Sequence, residues 1–117
     1  MIRLIFCDMD GTLLDEAGNL PPMFDAVVGE ALRRGAIFCP ASGRQYSALL
    51  RQMGRYVNDF IFVAENGTFV ARHDRELFSA ELDGDDVARV LSAGAMVPEA
   101  YPVLCGKRLA YVTERWA

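Results

Sequence analysis

Near the N-terminus the chain reads Ile5-Phe6-Cys7-Asp8-Met9-Asp10-Gly11-Thr12-Leu13-Leu14, an apolar run that leads directly into two carboxylates and a glycine. A buried strand that ends in two acids is costly, because desolvated carboxylates repel each other unless a cation or a donor compensates them. Asp8 and Asp10 would share one side of the strand if the strand continued. Gly11 would end the strand and let the backbone turn around a ligand. The pattern predicts a site for a hard cation and an electrophile.

A plainer interpretation of the same residues is a strand that ends in a solvated turn. Asp-Gly is ordinary turn chemistry and also marks hairpins. The apolar lead-in and the two alternating acids together favour the functional interpretation, in which one carboxylate attacks and the other moves a proton.

Strands and helices alternate through the first half of the chain. Apolar spacing predicts strands at residues 2–7, 36–40 and 60–64, and helices at about 22–34 and from Ser42 to about Met53. This order indicates an α/β fold with a parallel sheet and right-handed crossovers. The first strand is apolar almost throughout, as in a sheet that is covered on both faces.

The pattern changes after Asn66-Gly67. Two short strands are predicted at residues 68–71 and 76–79 around a polar turn, followed by a helix at 82–95 and two strands at 101–105 and 109–113. The shift near residue 80 marks the best candidate for a domain boundary.

Three stretches, taken together, resemble motifs of the haloacid dehalogenase-like (HAD) hydrolases. They are Asp8 to Leu14, Phe38 to Arg44 and Ala64 to Thr68. The third resembles the segment that follows the third strand in the Cof-type phosphatase branch. The resemblance implies a Rossmann-like HAD core sheet flanked by helices, with its N-terminal part at residues 1–80. Residues 81–117 would begin an α/β cap that is incomplete.

The resemblance also implies a reaction. Asp8 would attack phosphorus and form an aspartyl-phosphate, and Asp10 would protonate the leaving alcohol and then activate water. The cofactor would be Mg²⁺, held by the Asp8 carboxylate and the Asp10 backbone carbonyl. The presence of Asp10 argues against a dehalogenase, because a leaving halide needs no proton.

Seven further residues are predicted to contact the phosphate or substrate: Met9, Gly11, Thr12, Ser42, Gly43, Arg44 and Asn66. Ser42 and the Gly43 N–H suit a phosphoryl oxygen at a helix N-terminus, although Ser42 also fits a simple helix cap. Thr12 either bonds the nucleophile or orders the turn. Arg44 either reaches a substrate anion or forms an ion pair, and Asn66 either contacts substrate or only turns the chain.

The chain departs from the family in two ways. We find neither the lysine of the third family motif nor the acidic fourth motif that completes the magnesium shell, because Lys107 lies in an unmatched Gly-Lys-Arg turn. Cof-type proteins generally run to more than twice this length, and the stretch at 111–117 suggests an unfinished cap. We therefore interpret the chain as the N-terminal part of a phosphatase.

Two alternatives to a phosphatase stay open. The first is an inactive fragment that self-associates through an open sheet edge. The second is a phosphosugar mutase on the same scaffold, which would transfer the phosphoryl group to a second sugar hydroxyl.

Composition limits the classes of molecule that the chain is expected to bind. The chain has 117 residues, a net charge of −4 and no basic block, which argues against nucleic acid. No apolar run is long enough for a bilayer, and the N-terminus does not resemble a signal peptide. Three cysteines without metal-type spacing indicate reduced thiols of a cytoplasmic protein. The expected ligand is a small phosphorylated metabolite.

Overall fold

The computed structural model describes residues 2–112. The chain divides between Ser79 and Ala80 into two compact units. Its longest helix has 12 residues, and none of the helices within residues 2–112 has the length and apolar character needed to cross a membrane.

The first unit alternates strands and helices and then ends in a hairpin. Its elements are β1 (Leu4–Asp8), α1 (Phe24–Arg33), β2 (Ile37–Ala41), α2 (Tyr46–Met53), β3 (Ile61–Ala64), β4 (Phe69–Arg72) and β5 (Arg75–Ser79). Each of these elements was predicted. The boundaries differ by one or two residues, except at the start of α2.

The five strands form one sheet in the order β1-β2-β3-β4-β5. The first three run parallel, with Leu4 beside Ile37 and Ala41 beside Val63. β4 is antiparallel to β3, and β5 is antiparallel to β4. The predicted α/β class is confirmed, and the carboxyl ends of β1, β2 and β3 lie at one edge of the sheet.

Helix α1 ends where the sequence indicates. Gly35 has a φ of +79°, a left-handed conformation that glycine adopts without steric cost. Its N–H donates to Leu32 O at 2.9 Å, and the Ala36 N–H donates to Ala31 O at 3.0 Å. These two bonds form a Schellman motif, which satisfies the last carbonyls of the helix and directs the chain into β2.

The core lies between the two helices and one face of the sheet. The Phe24 ring of α1 contacts Phe38 and Phe60 edge-on, and Tyr46 of α2 contacts Phe62 in the same way. Aromatic pairs in this geometry add to the free energy gained by burying their apolar area. Both helices therefore pack on the face that carries Phe38 and Phe62.

The opposite face is open at the two outer strands of the described first unit, although Cys39 of β2 on this face is fully buried. Leu4 and Phe6 of β1 are 48% and 63% exposed, and Phe78 of β5 is 53% exposed on the same face. The expectation that β1 is covered on both faces is therefore wrong for residues 2–112. The reason is that β1 ends the strand order and both helices lie on the other side.

The second unit contains α3 (Gly84–Ala95) and a hairpin of β6 (Val103–Cys105) with β7 (Ala110–Val112). The Asp83 side chain accepts a bond from the Asp86 N–H at 2.8 Å and caps α3, as acidic residues at a helix start do. The predicted strand at 109–113 extends beyond the described residues at its last position. The end of the stretch at 111–117 also lies outside them. The assignment of this unit to a cap stays a prediction.

Candidate active site

The first carboxylate of the site closes β1. Asp8 is the last residue of the strand and has extended backbone angles. The chain then folds into a five-residue turn from Met9 to Leu13, which the bond from Leu14 N–H to Met9 O closes at 2.9 Å. Gly11 has a φ of +77° in this turn, so a side chain at this position would be strained. The strand ends at Asp8, before Gly11, which was predicted to end it, and Asp10 therefore lies in the turn rather than in the strand.

Thr12 contacts the predicted nucleophile directly. Its hydroxyl donates to Asp8 Oδ2 at 3.1 Å, across one turn of backbone. This bond restricts the rotation of the carboxylate while bringing no positive charge to it. Of the two roles considered for Thr12, the structure shows the bond to Asp8.

Met9 differs from its neighbours because its side chain is fully buried in the hydrophobic core. The predicted contact of Met9 with phosphate or substrate therefore stays a prediction, because the residue as a whole has no exposed surface. The buried methionine anchors the turn, so the exposed residues on either side of it, Asp8 and Asp10, are held above the core.

The second part of the site follows β2. Ser42 is 8% exposed, and its Oγ accepts a bond from the Arg44 N–H at 3.1 Å. Helix α2 begins only at Tyr46, and its cap residue Gln45 makes no capping bond with its side chain. The prediction that Ser42 caps this helix is wrong, because residues 42–44 form a separate loop that is bonded to the chain after β3.

The third part is the turn Glu65–Gly67 after β3. Glu65 and Asn66 have φ values of +52° and +56°, which non-glycine residues adopt at some cost in energy. The Glu65 N–H donates to Arg44 O at 3.0 Å, and the Asn66 N–H donates to Ser42 O at 3.1 Å. Because such strain persists where the surroundings impose it, these bonds explain how the turn is maintained.

Gly43 and Asn66 come very close together. A Cβ atom at Gly43 would lie 2.9 Å from Asn66 Oδ1, closer than real contacts of this kind. Asn66 therefore turns the chain and also lies against the loop that carries Gly43. The interpretation of residues 66 and 67 as a simple turn missed this contact.

Arg44 joins the second part of the site to the first. Its guanidinium bonds both oxygens of Asp10, from Nε at 2.9 Å and from Nη2 at 2.5 Å. The structure thus shows the ion pair that the sequence offered as one of two roles for Arg44. The bonds of the site form two clusters. One lies at the end of β1 and contains Asp8 and Thr12. The other lies between the ends of β2 and β3 and contains Ser42 and Asn66.

Cys7 lies directly beside the acids but is not a candidate nucleophile. Burial, and secondarily the charge of Asp8, raises the pKa of its thiol above the usual value. Since the thiolate is the reactive form, a raised pKa disfavours thiol chemistry here. Burial likewise raises the pKa of Cys39 in β2.

The residues that could hold a metal are few. Within residues 2–112 no group of three or more histidine, cysteine, aspartate or glutamate side chains is arranged to bind an ion. Asp8 and Asp10 remain as candidate ligands. One or two carboxylates, completed by water and substrate oxygens, are a ligand set that suits Mg²⁺ better than Zn²⁺.

Comparison with known proteins covers nearly the whole chain. Residues 5–115 match the family model described as haloacid dehalogenase-like hydrolase. The chain is also similar to the 5-amino-6-(5-phospho-D-ribitylamino)uracil phosphatase YbjI of Escherichia coli (strain K12), with 35% identity over 116 residues. That match covers 98% of this chain and 43% of the relative, so the chain spans less than half the relative's length.

Solved structures share the fold. SMU.1108c from Streptococcus mutans UA159 matches with a TM-score of 0.87 at 24% identity, over 99% of this chain and 46% of that one. A haloacid dehalogenase-like hydrolase from Bacillus subtilis matches with a TM-score of 0.77 at 21% identity, over 90% of this chain and 37% of that one. At these identities the similarity concerns the fold alone, and it confirms the Rossmann-like architecture.

Proposed function

The chain belongs to the haloacid dehalogenase-like hydrolase family, and on that basis we propose that it carries the phosphoryl-accepting part of a Mg²⁺-dependent phosphatase. The observation that supports this most is the different bonding of the two carboxylates. Asp8 receives a bond from the neutral Thr12 hydroxyl, whereas Asp10 is clamped by the Arg44 guanidinium. The Asp8 carboxylate is thus available to attack phosphorus, and Arg44 holds the Asp10 carboxylate beside it.

In the proposed reaction the Asp8 carboxylate attacks the phosphorus of a phosphate monoester. A bond forms between Asp8 and phosphorus, the bond to the leaving alcohol oxygen breaks, and Asp10 gives that oxygen a proton. Asp10 then takes a proton from water, which attacks the aspartyl-phosphate, releases inorganic phosphate and regenerates Asp8.

Asp8 and Asp10 are the residues that would hold Mg²⁺. The ion would supply positive charge to the phosphoryl oxygens as the reaction proceeds. The family ligand set proposed for it uses the Asp8 carboxylate and the Asp10 backbone carbonyl, which leaves the Asp10 side chain for proton transfer.

Ser42 and Gly43 are placed to contact the phosphoryl group. Ser42 Oγ accepts from the Arg44 N–H, so its hydroxyl proton remains available as a donor. The Gly43 residue is exposed and has no side chain of its own, and the Asn66 amide lies against it. Gly11, Thr12 and the Asn66 amide complete the proposed set.

The substrate class that we propose is a small phosphorylated metabolite. The relative from Escherichia coli is named for a phosphorylated ribitylamino uracil, which makes that compound the first to test.

The only lysine of the chain, Lys107, forms an ion pair with Glu81 in the second unit. In the first unit, Arg44 brings a cation to Asp10. The cytoplasmic location stays a prediction.

Hydrolysis of p-nitrophenyl phosphate tests the proposal. We expect turnover that requires Mg²⁺ and that falls by more than about a thousandfold in Asp8→Asn, because the amide is a poor nucleophile. Asp85→Asn, at the exposed start of α3, is the matched control and should retain activity. Turnover that survives in Asp8→Asn, or a wild-type chain without Mg²⁺-dependent turnover, would contradict the proposal. Release of inorganic phosphate, rather than transfer to an added sugar, separates a phosphatase from a mutase.

The open side of the sheet favours a second candidate, self-association of the chain. Within residues 2–112, β1 has one neighbour in the strand order, and Leu4 and Phe6 are exposed beside its unpaired edge. Unpaired apolar edges promote pairing with another chain. This candidate, an inactive fragment, predicts a concentration-dependent oligomer and no turnover at any Mg²⁺ concentration.

A further inference from the structure

Two bonds from Arg44 fix both the position and the orientation of the Asp10 carboxylate. Arg44 Nε lies 2.9 Å from Oδ2 and Nη2 lies 2.5 Å from Oδ1, so the two bonds run side by side. A single bond would fix only a distance, whereas a guanidinium fork also fixes the plane of the carboxylate. The two residues are 34 positions apart in the sequence, so this is a contact that the tertiary fold creates.

The backbone of Arg44 is itself immobilised. Its N–H donates to the hydroxyl of the buried Ser42 at 3.1 Å, and its carbonyl accepts from the Glu65 N–H at 3.0 Å. The side chain therefore starts from a loop that is bonded on both sides. It reaches Asp10 from the end of β2, across the carboxyl edge of the sheet.

Asp10 needs such support because its own surroundings are open. Its side chain is 56% exposed, and the next residue, Gly11, belongs to the left-handed part of the turn. An exposed aspartate in a turn samples several rotamers, and ordering it for each reaction cycle costs conformational entropy. The contact with Arg44 removes most of that freedom before substrate arrives.

We propose that Arg44 is a positioning residue, which holds the Asp10 carboxylate toward the leaving-group oxygen rather than binding the phosphoryl group itself. This inference rests on the proposed function and develops the ion-paired role, which is one of the two roles that the sequence left open for Arg44. The Nε–H and one Nη2–H of the guanidinium are engaged with Asp10. The kinetic test below separates action through that carboxylate from direct anion binding by the remaining donors.

The consequence is a dependence on the leaving group. Proton donation matters for an ester whose alcohol is a poor leaving group and matters little for p-nitrophenolate, which leaves without a proton near neutral pH. Arg44→Lys keeps the positive charge but lacks the fork. We expect its kcat to fall by about tenfold or more on phenyl phosphate and by less than about threefold on p-nitrophenyl phosphate, with KM nearly unchanged on both, since positioned acid–base groups contribute about 10²–10⁴ in rate.

The matched control is Arg55→Lys, which makes the same change in another ion pair of the first unit, with Asp25 at 2.6 Å. It should leave both substrates unaffected. In an Asp10→Asn background, Arg44→Lys should have no further effect on phenyl phosphate, because the group it positions is gone. NMR detection of the Arg44 Nε–H should show that its signal shifts in Asp10→Asn while the Arg55 signal does not.

Three results would overturn the inference. A rise in KM on both esters would assign Arg44 to anion binding. An equal fall in kcat on both would assign it a structural role. A wild-type chain that hydrolyses neither ester would remove the proposed function, and the inference with it. In the first two cases wild-type turnover is intact, so failure of the inference alone is distinguishable from failure of the function.

Discussion

At the scale of single residues, two features of the backbone shape the site, and each depends on a glycine. The Asp8 turn needs Gly11 at a positive φ, and the loop after β2 needs Gly43 because Asn66 lies against it. Neither requirement concerns stability of the core, since Gly11 and Gly43 are both exposed. Both glycines lie in the segments that follow β1 and β2, at the edge of the sheet where the two acids lie.

Gly43→Ala tests the second contact. The new Cβ would meet Asn66 Oδ1 at 2.9 Å and push the amide away. Because that oxygen ends a short side chain, we expect stability to change by less than about 1 kcal/mol, while affinity for inorganic phosphate falls several-fold in titration calorimetry. The control is Gly29→Ala in α1, where no atom lies within 4 Å of the new Cβ. It should raise stability by about 0.5–1 kcal/mol without affecting phosphate. Unchanged phosphate affinity in Gly43→Ala would argue against this contact.

At the scale of elements, a hydrogen bond from the Tyr46 hydroxyl connects α2 to the β4–β5 hairpin. Tyr46 is buried against Phe62 and Phe69, and its OH donates to Asp74 Oδ1 at 3.2 Å in the hairpin turn. Burial, and then the bond and charge of Asp74, raises the pKa of Tyr46 to about 12 from its ordinary 10.0. The neutral phenol is thus favoured in the folded state.

This shift predicts how stability responds to alkali. The folded chain retains the Tyr46 proton at pH values where the unfolded chain loses it, so the free energy of unfolding decreases as pH rises between about 10 and 12. The contribution is fully present below pH 10. Tyr46→Phe should lose about 0.5–1.5 kcal/mol near neutral pH, for the hydroxyl bond. It should then show a shallower alkaline decline in urea denaturation than the wild-type chain. Parallel alkaline curves for the two proteins would contradict the role of Tyr46.

Much of the element structure was predictable because its signals are local. The apolar run before Asp8, the spacing of Phe24 and Val28 and the stop at Gly35 act within a few residues of each other. The start of α2 was not predictable, because the bonds that hold residues 42–44 come from Glu65 and Asn66. The Arg44–Asp10 pair was likewise beyond local patterns, although the sequence did allow an ion-paired Arg44 as an alternative.

At the scale of the whole molecule, the open side of the sheet is the dominant feature. Leu4, Phe6 and Phe78 are exposed on one face of the sheet, and in the described part of the chain the edge of β1 beside it is unpaired. The apolar sequence of β1 predicted burial, and periodicity alone does not reveal what would cover the strand. Curated relatives are more than twice as long as this chain, since the match covers 43% of the Escherichia coli protein.

Self-association through this side is measurable by sedimentation. We expect the average mass of the chain to rise with concentration, and Phe6→Lys to reduce that rise because a charge on an exposed edge strand opposes pairing. Val90→Lys on α3 is the matched control, since Val90 is similarly exposed at 60%. A strictly monomeric chain at every concentration would contradict the expectation, as would equal effects of the two lysines.

The central claim is that Asp8 accepts the phosphoryl group, and chemical trapping tests it most directly. The chain would be mixed with Mg²⁺ and p-nitrophenyl phosphate, treated with borohydride, which reduces an aspartyl-phosphate to homoserine, and digested for peptide mass spectrometry. The account predicts homoserine at position 8, dependent on Mg²⁺ and absent in Asp8→Asn. Reduction at Asp10 instead, or an unmodified Asp8 while substrate is being consumed, would contradict it.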